Sequence, residues 1–441
     1  MENNKQICVM GMGYVGLTLS VILAEIGYDV FGIDVNKEII KKLRDGQPHF
    51  YEKNLAVRLK QQLISRRLRF FCKAPKQDYH IIMIAVATPL KEGSKIPNLN
   101  YLNNVLDDVV EIIRPETLVC VRSTVPVGVT KTKIMTFIER KTGLIVGKSF
   151  FLAFTPERTV EGRALEELRE NSQIVGGITK ICTEKAANLF LNITPTVVTV
   201  SSTEVAEFSK IIDNCYRDLR FSFSNEMALV SENIGVDFYE VLNAANIHYP
   251  RNDIPVPSPG VGGTCLSKDP HILINLSKKA GYQPKLISEA RKINEKYPGI
   301  IIEKIQHKYE QFGSNFNQST ILIAGFAFKG NPETADIRDS TSLSLLREIR
   351  SRSSCTIKGY DVIVDDSELR AIGVEPVTLP SGFDNIDILI IANNHESYRD
   401  WDISELLSKM NKPSIIYDGW RMLNNKTVNM FEKVLYLSPG L

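Results

Sequence analysis

The sequence contains no long apolar run and almost no excess of charge, and each absence excludes a class of protein. None of its apolar stretches reaches the roughly 18 residues that a membrane-spanning helix needs. Its 53 lysine and arginine residues are nearly balanced by 51 aspartate and glutamate residues, which gives a formal net charge of +2. So small a charge produces no whole-molecule field that would attract nucleic acid or an acidic membrane, although it is compatible with a local basic pocket. We therefore expect no nucleic acid and no membrane among its partners.

The seven cysteines include no CxxC pair and follow no regular spacing. Such an odd, unpatterned set indicates free thiols in a reducing compartment rather than a disulfide framework or a zinc site. The mostly apolar stretch 7–24 does not have the form of a signal peptide, because three glycines interrupt it, Glu25 follows it and no A-x-A cleavage pattern appears. No histidine belongs to a metal-binding or triad pattern, and there is no Walker loop. We expect a cytoplasmic enzyme with no metal site.

The two end regions of the chain show a regular alternation of strand and helix patterns. The length of 441 residues and the hydrophobic fraction of 43% are those of a folded protein with two to four domains. The predicted strands are 6–10, 29–33, 81–86, 118–122 and 151–154, followed by 321–326, 356–361, 386–392 and 414–417. Strands that alternate with helices predict an α/β fold with two doubly wound parallel-sheet domains.

The region between these two ends has a helical pattern. From Ser201 to Ile234 the chain contains no proline and no glycine, which predicts one long helix that Gly235 ends. A proline-rich loop and a further helical stretch to about Tyr297 follow. We therefore predict three domains: an N-terminal domain at 1–200, a central helical domain at 201–300 and a C-terminal α/β domain at 315–441.

A glycine-rich loop connects the first predicted strand to the first predicted helix. Its sequence, Gly11-Met12-Gly13-Tyr14-Val15-Gly16, is the GxGxxG pattern of Rossmann-like domains, in which the glycines allow a tight turn, a close approach to a pyrophosphate and close helix packing. Asp34 ends the second strand, where a carboxylate binds ribose hydroxyls, although a strand-end turn residue is the alternative. Because no arginine directly follows Asp34 to neutralise a 2′-phosphate, the loop favours NAD over NADP.

The densest group of chemically useful residues is the segment Pro259–Pro270, which we call the thiol loop. Glycines precede Cys265 and leave room for a ligand, while Asp269 and Pro270 have the pattern of a helix start. A thiol just before a helix N-terminus and near Lys268 is expected to have a lowered pKa, which suits a nucleophile. We expect the other six cysteines to be ordinary core or surface residues.

Three other segments carry polar side chains whose role the spacing leaves open. Glu207, Lys210, Asn214 and Arg217 share one face of the long helix, which is either a solvated face with one ion pair or a catalytic face turned to Cys265. The segments 123–128 and 155–162 each follow a predicted strand, at the edge where open α/β sheets bind ligands. Taken singly, each is also compatible with ordinary turn chemistry.

Six motifs in this order resemble the UDP-glucose/GDP-mannose dehydrogenase family over essentially the full chain. They are GMGYVG at 11–16, RSTVPVG at 122–128, TPERTVEG at 155–162, AEFSKIIDNCYR at 206–217, GVGGTCLSKDP at 260–270 and FKGNPETADIRDS at 328–340. The resemblance implies an NAD-dependent four-electron oxidation of the C6 alcohol of a UDP-sugar to a carboxylate. It also implies that the third domain binds UDP and that the central helix forms a homodimer.

The resemblance also assigns a role to individual residues. Cys265 would be the nucleophile that forms a thiohemiacetal and then a thioester. The other catalytic positions are Lys210 (oxyanion), Asn214, Asp269 (proton handling), Glu157 (thioester hydrolysis) and Thr124 (water). The implied cofactor-binding positions are Gly11, Gly13, Tyr14, Val15, Gly16, Asp34, Thr88, Thr124, Glu161, Lys268 and Arg338. The implied substrate-binding positions are Glu157, Arg158, Lys210, Asn214, Arg217, Arg251, Gly262, Phe328 and Lys329.

The prediction of the sugar rests on sequence differences between the branches of the family. The TPER sequence and the segment His248–Arg251 resemble the branch that acts on UDP-N-acetylhexosamines, whereas TCLSKD in the thiol loop is similar to the UDP-glucose type. We expect UDP-N-acetylglucosamine or UDP-N-acetylmannosamine as substrate, for surface polysaccharide precursors, with UDP-glucose as the alternative. There are two alternatives of other kinds: a catalytically silent NAD-binding protein and a single-oxidation hydroxyacid dehydrogenase. The set of Cys265, Lys210 and Asp269 argues against both.

Overall fold

A computed structural model describes residues 5–441, which form two compact units. The first unit extends to Asp213 and includes His271–Gln283, and the second consists of Asn214–Pro270 and Pro284–Leu441. Within residues 5–441, no helix combines the length and the apolarity that a bilayer crossing requires.

An eight-stranded sheet forms the centre of the first unit. Its strands, in chain order, are β1 Gln6–Met10, β2 Asp29–Ile33, β3 Leu68–Phe71, β4 Ile81–Ile84, β5 Leu118–Val121, β6 Phe151–Phe154, β7 Gln173–Gly177 and β8 Val197–Val200. The spatial order is β3-β2-β1-β4-β5-β6-β7-β8, and every pair is parallel except β6 and β7. The predicted doubly wound parallel sheet is therefore confirmed, with one antiparallel pair that the sequence pattern did not predict.

Both faces of this sheet are buried, as strand β1 illustrates. Ile7 and Val9 point into one hydrophobic core and Cys8 and Met10 into the other, since successive side chains of a strand alternate between faces. The helices of this unit pack around the sheet. They are α1 Tyr14–Glu25, α2 Lys37–Arg44, α3 Leu55–Ile64, α4 Asn100–Ile112, α5 Thr136–Thr142, α6 Ala164–Glu170 and α7 Lys180–Phe190, with a π-helix at Thr130–Met135.

The second unit contains a six-stranded, fully parallel sheet. Its strands are β9 Thr320–Ala324, β10 Thr356–Tyr360, β11 Glu375–Pro376, β12 Ile388–Ile391, β13 Ser414–Asp418 and β14 Val434–Leu437, in the order β11-β10-β9-β12-β13-β14. Its smaller helices are α12 Thr341–Arg352, α13 Asp366–Ala371, α14 Ile403–Lys409 and α15 Asn425–Val428. The order repeats that of the first six strands of the other sheet, and open α/β sheets of this kind bind ligands where the strand order reverses.

The long central helix is confirmed as α8, Thr203–Ile234, and α9 Phe238–Asn246, α10 Asp269–Lys279 and α11 Lys285–Gln311 follow it. Helix α10 begins at Asp269, as the pattern of Asp269 and Pro270 predicted. One boundary differs from that predicted. Helix α11 continues through Pro298 to Gln311, beyond the predicted end near Tyr297, so the predicted domain limit at 300 falls inside a helix. Pro298 lies inside this helix with its side chain buried, where tertiary packing outweighs the lost backbone hydrogen bond.

Candidate active site

The GxGxxG loop has the geometry that a dinucleotide pyrophosphate requires. Gly11 has φ +96°, and a Cβ atom at this position would lie 2.7 Å from the carbonyl oxygen of Ala85. A Cβ atom at Gly16 would lie 1.8 Å from the carbonyl oxygen of Gly11, so helix α1 packs there only with glycine. At Gly13 nothing lies within 4 Å of the Cβ position, which leaves space for a ligand against the backbone.

Asp34 follows the end of β2 with its carboxylate held in a fixed orientation. One oxygen accepts a hydrogen bond from the Met12 amide at 2.9 Å, and the other accepts one from the Asn36 amide at 2.9 Å. A carboxylate offers about four acceptor positions, so each oxygen keeps one lone pair for a ribose hydroxyl. The loop and the carboxylate together therefore fit NAD.

A buried carboxylate that the sequence analysis missed connects two of the predicted segments. The Tyr14 hydroxyl donates a hydrogen bond to Glu52, and the Gly162 amide lies 2.7 Å from the same carboxylate. Burial and the neighbouring Glu52 raise the pKa of Tyr14, which keeps its hydroxyl protonated. Glu52 thus joins the GxGxxG loop to the segment that contains Glu161. No motif signalled it, because Glu52 and Gly162 are 110 positions apart.

The segments after β4, β5 and β6 bring further predicted residues to the carboxyl edge of the first sheet. The buried Thr88 hydroxyl donates to the carbonyl oxygen of Thr124. The Glu157 carboxylate accepts a hydrogen bond from the Thr159 amide. Arg158 donates to the carbonyl oxygen of Ser172 at 2.7 Å, so its guanidinium is already bound within the protein. The Thr88 contact joins the segments after β4 and β5, and the ligand roles of Glu157 and Arg158 stay predictions.

The polar face of α8 is not the solvated face that its spacing allowed. Glu207, Lys210 and Asn214 are 0%, 8% and 3% exposed, and only Arg217 faces solvent. The Glu207 carboxylate accepts hydrogen bonds from the Gly128 amide and from the Thr130 amide, the latter at 2.9 Å. Burial raises the pKa of Glu207, which these hydrogen bonds partly offset. The alternative of a bland, solvated stripe is therefore wrong for three of the four residues.

The thiol loop in the second unit owes its shape to close backbone packing. A Cβ atom at Gly262 would lie 2.7 Å from the carbonyl oxygen of Asp339, and one at Gly263, which has φ +86°, would lie 2.8 Å from the Phe328 ring. The Ser267 hydroxyl donates to the Asp339 carboxylate at 3.1 Å. The Cys265 side chain itself is exposed. The glycines therefore serve packing against the segment 328–339 while the thiol stays accessible.

Asp269 is a fully buried carboxylate at the start of α10. The Asn214 side-chain amide donates to one of its oxygens at 2.6 Å, and the Lys268 ammonium forms an ion pair with the other. The Asp269 amide donates to the carbonyl oxygen of Cys265 at 2.9 Å. Two predicted catalytic residues, Asn214 and Asp269, are thus in direct contact, and Lys268, predicted to bind the cofactor, holds this carboxylate.

The remaining predicted ligand residues of the second unit are polar or aromatic groups near its loops. Arg338 is bound by Asp336 at 2.7 Å, Arg251 lies over the Tyr249 ring at 4.8 Å, and Lys329 lies 5.6 Å from the Phe328 ring centre. The second sheet has a glycine and an acid placed like Gly11 and Asp34 in the first. Gly325 has φ +94°, and the Asp361 carboxylate accepts a hydrogen bond from the Phe326 amide at 2.6 Å. The position of Asp361 directly after a predicted strand is the sequence feature that could have identified it.

A Rossmann-type sheet with a GxGxxG loop and a strand-end carboxylate, in a chain that also carries an accessible thiol four residues before a buried acid, is typical of an NAD-dependent dehydrogenase. Comparison with known proteins identifies the family within this class. Models of the UDP-glucose/GDP-mannose dehydrogenase family match three segments: the NAD binding domain at 5–194, the central domain at 204–296 and the UDP binding domain at 322–425. The chain belongs to this family, and the predicted NAD dependence and nucleotide-sugar dehydrogenase class are confirmed.

Similar proteins are found over the whole length of the chain. A UDP-N-acetyl-D-mannosamine dehydrogenase of Pyrococcus horikoshii is 32% identical over 96% of this chain and 97% of its own. A solved structure of the UDP-D-ManNAc dehydrogenase from Pyrococcus horikoshii matches with a TM-score of 0.88 at 31% identity, over 99% of both chains. The structure of a UDP-glucose dehydrogenase from Pyrobaculum islandicum matches with a TM-score of 0.83 at 26% identity, over 98% of this chain and 97% of its own.

Proposed function

We propose that this protein oxidises the C6 alcohol of UDP-N-acetylmannosamine to the corresponding uronate with two equivalents of NAD. Family membership supports the reaction type, and the names of the similar Pyrococcus horikoshii proteins support this sugar over UDP-N-acetylglucosamine. The observation that carries the proposal is the accessible Cys265 in a loop whose next helix begins with the buried Asp269. UDP-glucose is the second candidate, because the TCLSKD sequence and the Pyrobaculum islandicum structure favour it.

Cys265 supplies the covalent step in this proposal. NAD, when bound, accepts a hydride in each of the two oxidations. After the first oxidation, the Cys265 sulfur adds to the aldehyde carbon and the carbonyl oxygen takes a proton, which gives a thiohemiacetal. The second oxidation removes the hydride from that carbon and the proton from its oxygen, which leaves a thioester on Cys265. Water then adds to the thioester carbon, the C–S bond breaks, and the uronate and the thiol are released.

The other catalytic residues act on oxygen charge and on protons. We propose that the buried Lys210 ammonium stabilises the negative charge that develops on the C6 oxygen, because a fixed cation needs no reorganisation. Asp269, bound by Asn214 and Lys268, would exchange protons with the reacting groups. Thr124 would hold the hydrolytic water and Glu157 would direct it.

Binding of the two ligands is assigned to two different sets of residues. NAD would be held by the loop 11–16 and Asp34, with Thr88, Glu161, Lys268 and Arg338 as further contacts. The UDP-sugar would be held by Arg158, Arg217, Arg251, Gly262, Phe328 and Lys329. The repeated glycine loop at Gly325 supports nucleotide binding in the second unit, because backbone amides there can approach a diphosphate.

We further propose a homodimer that forms through α8. Seven of its apolar residues are exposed, namely Val205, Phe208, Ile212, Tyr216, Phe223, Val230 and Ile234. At about 100° per residue they fall within an arc of about 80°, opposite to the face that carries Lys210 and Asn214. A contiguous apolar stripe of this kind marks an interaction surface. A second copy is the occupant that we propose. We also propose a cytoplasmic location, because the seven cysteines follow no disulfide spacing.

The experiment that tests this function is a substrate panel followed by NADH absorbance. UDP-N-acetylmannosamine, UDP-N-acetylglucosamine, UDP-glucose and GDP-mannose are each offered with NAD. We expect the first sugar to give the highest kcat/KM and two NADH per molecule consumed. One NADH per sugar would indicate a single-oxidation dehydrogenase, and none with any sugar would indicate a silent NAD-binding protein.

A further inference from the structure

A buried ion pair connects α8 to α11 in the second unit. Arg291 on α11 and Asp218 on α8 are 3% and 1% exposed, and a guanidinium nitrogen lies 2.8 Å from a carboxylate oxygen. The Asn294 side-chain amide donates to the same carboxylate oxygen at 2.8 Å and to the Asp218 carbonyl oxygen at 2.9 Å. The two helices are therefore joined by a polar network rather than by apolar side chains alone.

This network continues into the thiol loop. Arg291 also donates to the carbonyl oxygen of Leu266, the residue after Cys265, at 2.9 Å, and its other terminal nitrogen lies 3.5 Å from the carbonyl oxygen of Val261. The same two helices hold Ser258, the residue directly before the thiol loop. Asn225 on α8 accepts a hydrogen bond from the Ser258 amide at 2.8 Å and donates one to Asn294 on α11.

The position of this ion pair argues for a role beyond stability. Removing two charges from water costs several kcal/mol per ion, so apolar residues of similar volume commonly join two helices at least as well. An apolar pair cannot donate hydrogen bonds to loop carbonyl groups. The planar guanidinium can, because its five N–H groups point in fixed directions, and here one guanidinium serves Asp218 and the residue next to the nucleophile.

We infer that Arg291 is a positioning residue that holds the Cys265 sulfur where it captures the aldehyde. The inference rests on the proposed function, in which the sulfur becomes bonded to C6. The first oxidation needs no sulfur, whereas the second needs the thiohemiacetal. A displaced loop therefore impairs capture and leaves the aldehyde free to leave the site. Displacement by about 1 Å costs on the order of 10²-fold in rate.

The test compares three variants of the full-length protein. Arg291→Met removes the donors and keeps an unbranched side chain, and Arg291→Lys keeps a positive charge and a hydrogen-bond donor. The matched control is Lys304→Met, because Lys304 also lies on α11 and pairs with Glu232 on α8 at 3.0 Å, away from the thiol loop. Each is assayed for kcat, both KM values, NADH per sugar and aldehyde trapped by a hydrazine. Iodoacetamide labelling of Cys265 is measured against the exposed Cys72 by mass spectrometry.

For Arg291→Met we expect kcat to fall about 10²-fold with KM values within threefold, NADH per sugar to fall below two, and trapped aldehyde to be found. We expect labelling of Cys265 relative to Cys72 to fall at least threefold, and Arg291→Lys to recover part of each loss. Lys304→Met should keep wild-type kcat, stoichiometry and labelling. The inference is overturned if Arg291→Met, or Arg291→Lys where Met prevents folding, keeps two NADH per sugar and wild-type labelling. Failure of the proposed function itself would be seen in the wild type, which would then give fewer than two NADH per sugar.

Discussion

The Asn214 side-chain amide lies 2.6 Å from a carboxylate oxygen of Asp269, which has no exposed surface. The contact joins α8 to the first residue of α10, and the Asp269 amide in turn donates to the carbonyl oxygen of Cys265. One hydrogen-bonded chain therefore connects the helix, the buried acid and the residue that we propose as nucleophile. Lys210 precedes Asn214 by four residues on the same face of α8, about one helical turn.

Replacing Asn214 with alanine should harm both stability and turnover. The buried Asp269 carboxylate would lose a donor, which costs about 1–3 kcal/mol in the free energy of unfolding, and its orientation would be less fixed. We expect kcat to fall about 10-fold to 10²-fold, measured by NADH absorbance alongside denaturant unfolding. The control is Asn233→Ala, an exposed asparagine on the same helix, which should change neither quantity. A variant of Asn214 with wild-type kcat would refute the proposed catalytic role of the contact.

Replacing Asp34 with alanine should weaken binding of NAD and leave that of UDP unchanged. The change removes the oxygens that we propose to accept hydrogen bonds from the ribose, and it also removes the partner of the Met12 and Asn36 amides. Isothermal titration with NAD and with UDP separately measures both affinities. We expect at least a 10-fold loss for NAD, corresponding to about 1.4 kcal/mol. Equal losses for the two ligands would show that Asp34 supports the fold and does not bind the ribose.

Replacing Glu207 with glutamine should change how stability depends on pH. Because burial raises the folded-state pKa of Glu207, the folded protein binds more protons than the unfolded chain. The contribution of Glu207 to stability is therefore largest at or below its unfolded pKa of about 4.3 and falls as pH rises through the folded value. Thermal unfolding at pH 5 and pH 8 should show the Tm of the variant improving relative to wild type at the higher pH.

Glu204 provides the control for this effect on the same helix. Although burial opposes it, hydrogen bonds from its own backbone amide and from Thr203 lower the pKa of Glu204. Its contribution is lost only as pH falls through that lowered value, so Glu204→Gln should keep a constant Tm difference from wild type between pH 5 and pH 8. A pH-independent difference for Glu207→Gln would contradict the raised pKa.

A charge in the apolar stripe of α8 should separate the proposed dimer. Phe223 is 47% exposed, and lysine at this position would bury a charge in the interface. Light scattering should give twice the chain mass of 49.6 kDa for the wild type and a single chain mass for Phe223→Lys. Tyr282→Lys, at a residue 69% exposed and outside α8, should stay dimeric. A wild type that elutes as a monomer would refute the proposal.

The sequence predicted local order well and long-range neighbours poorly. The strand, loop, helix and acid around Gly11 and Asp34 follow from patterns within about 30 residues, and the structure confirms them. The burial of Glu207 does not follow, since helical spacing says which residues share a face but not what covers it. Its amide partner Gly128 is 79 positions away. Glu52 and Arg291 were missed for the same reason, because each is defined by contacts that no local motif encodes.

Covalent catalysis by Cys265 is tested most directly by the mass of the Cys265 peptide after acid quenching during turnover. The variant Glu157→Gln, which should slow thioester hydrolysis, is mixed with NAD and UDP-N-acetylmannosamine, quenched within seconds and digested. We predict that the peptide containing Cys265 carries the sugar as a thioester. Its mass gain equals the mass of the UDP-sugar minus four hydrogens, because each of the two oxidations removes two. An unmodified Cys265 in an enzyme that is producing NADH would contradict covalent catalysis by this residue.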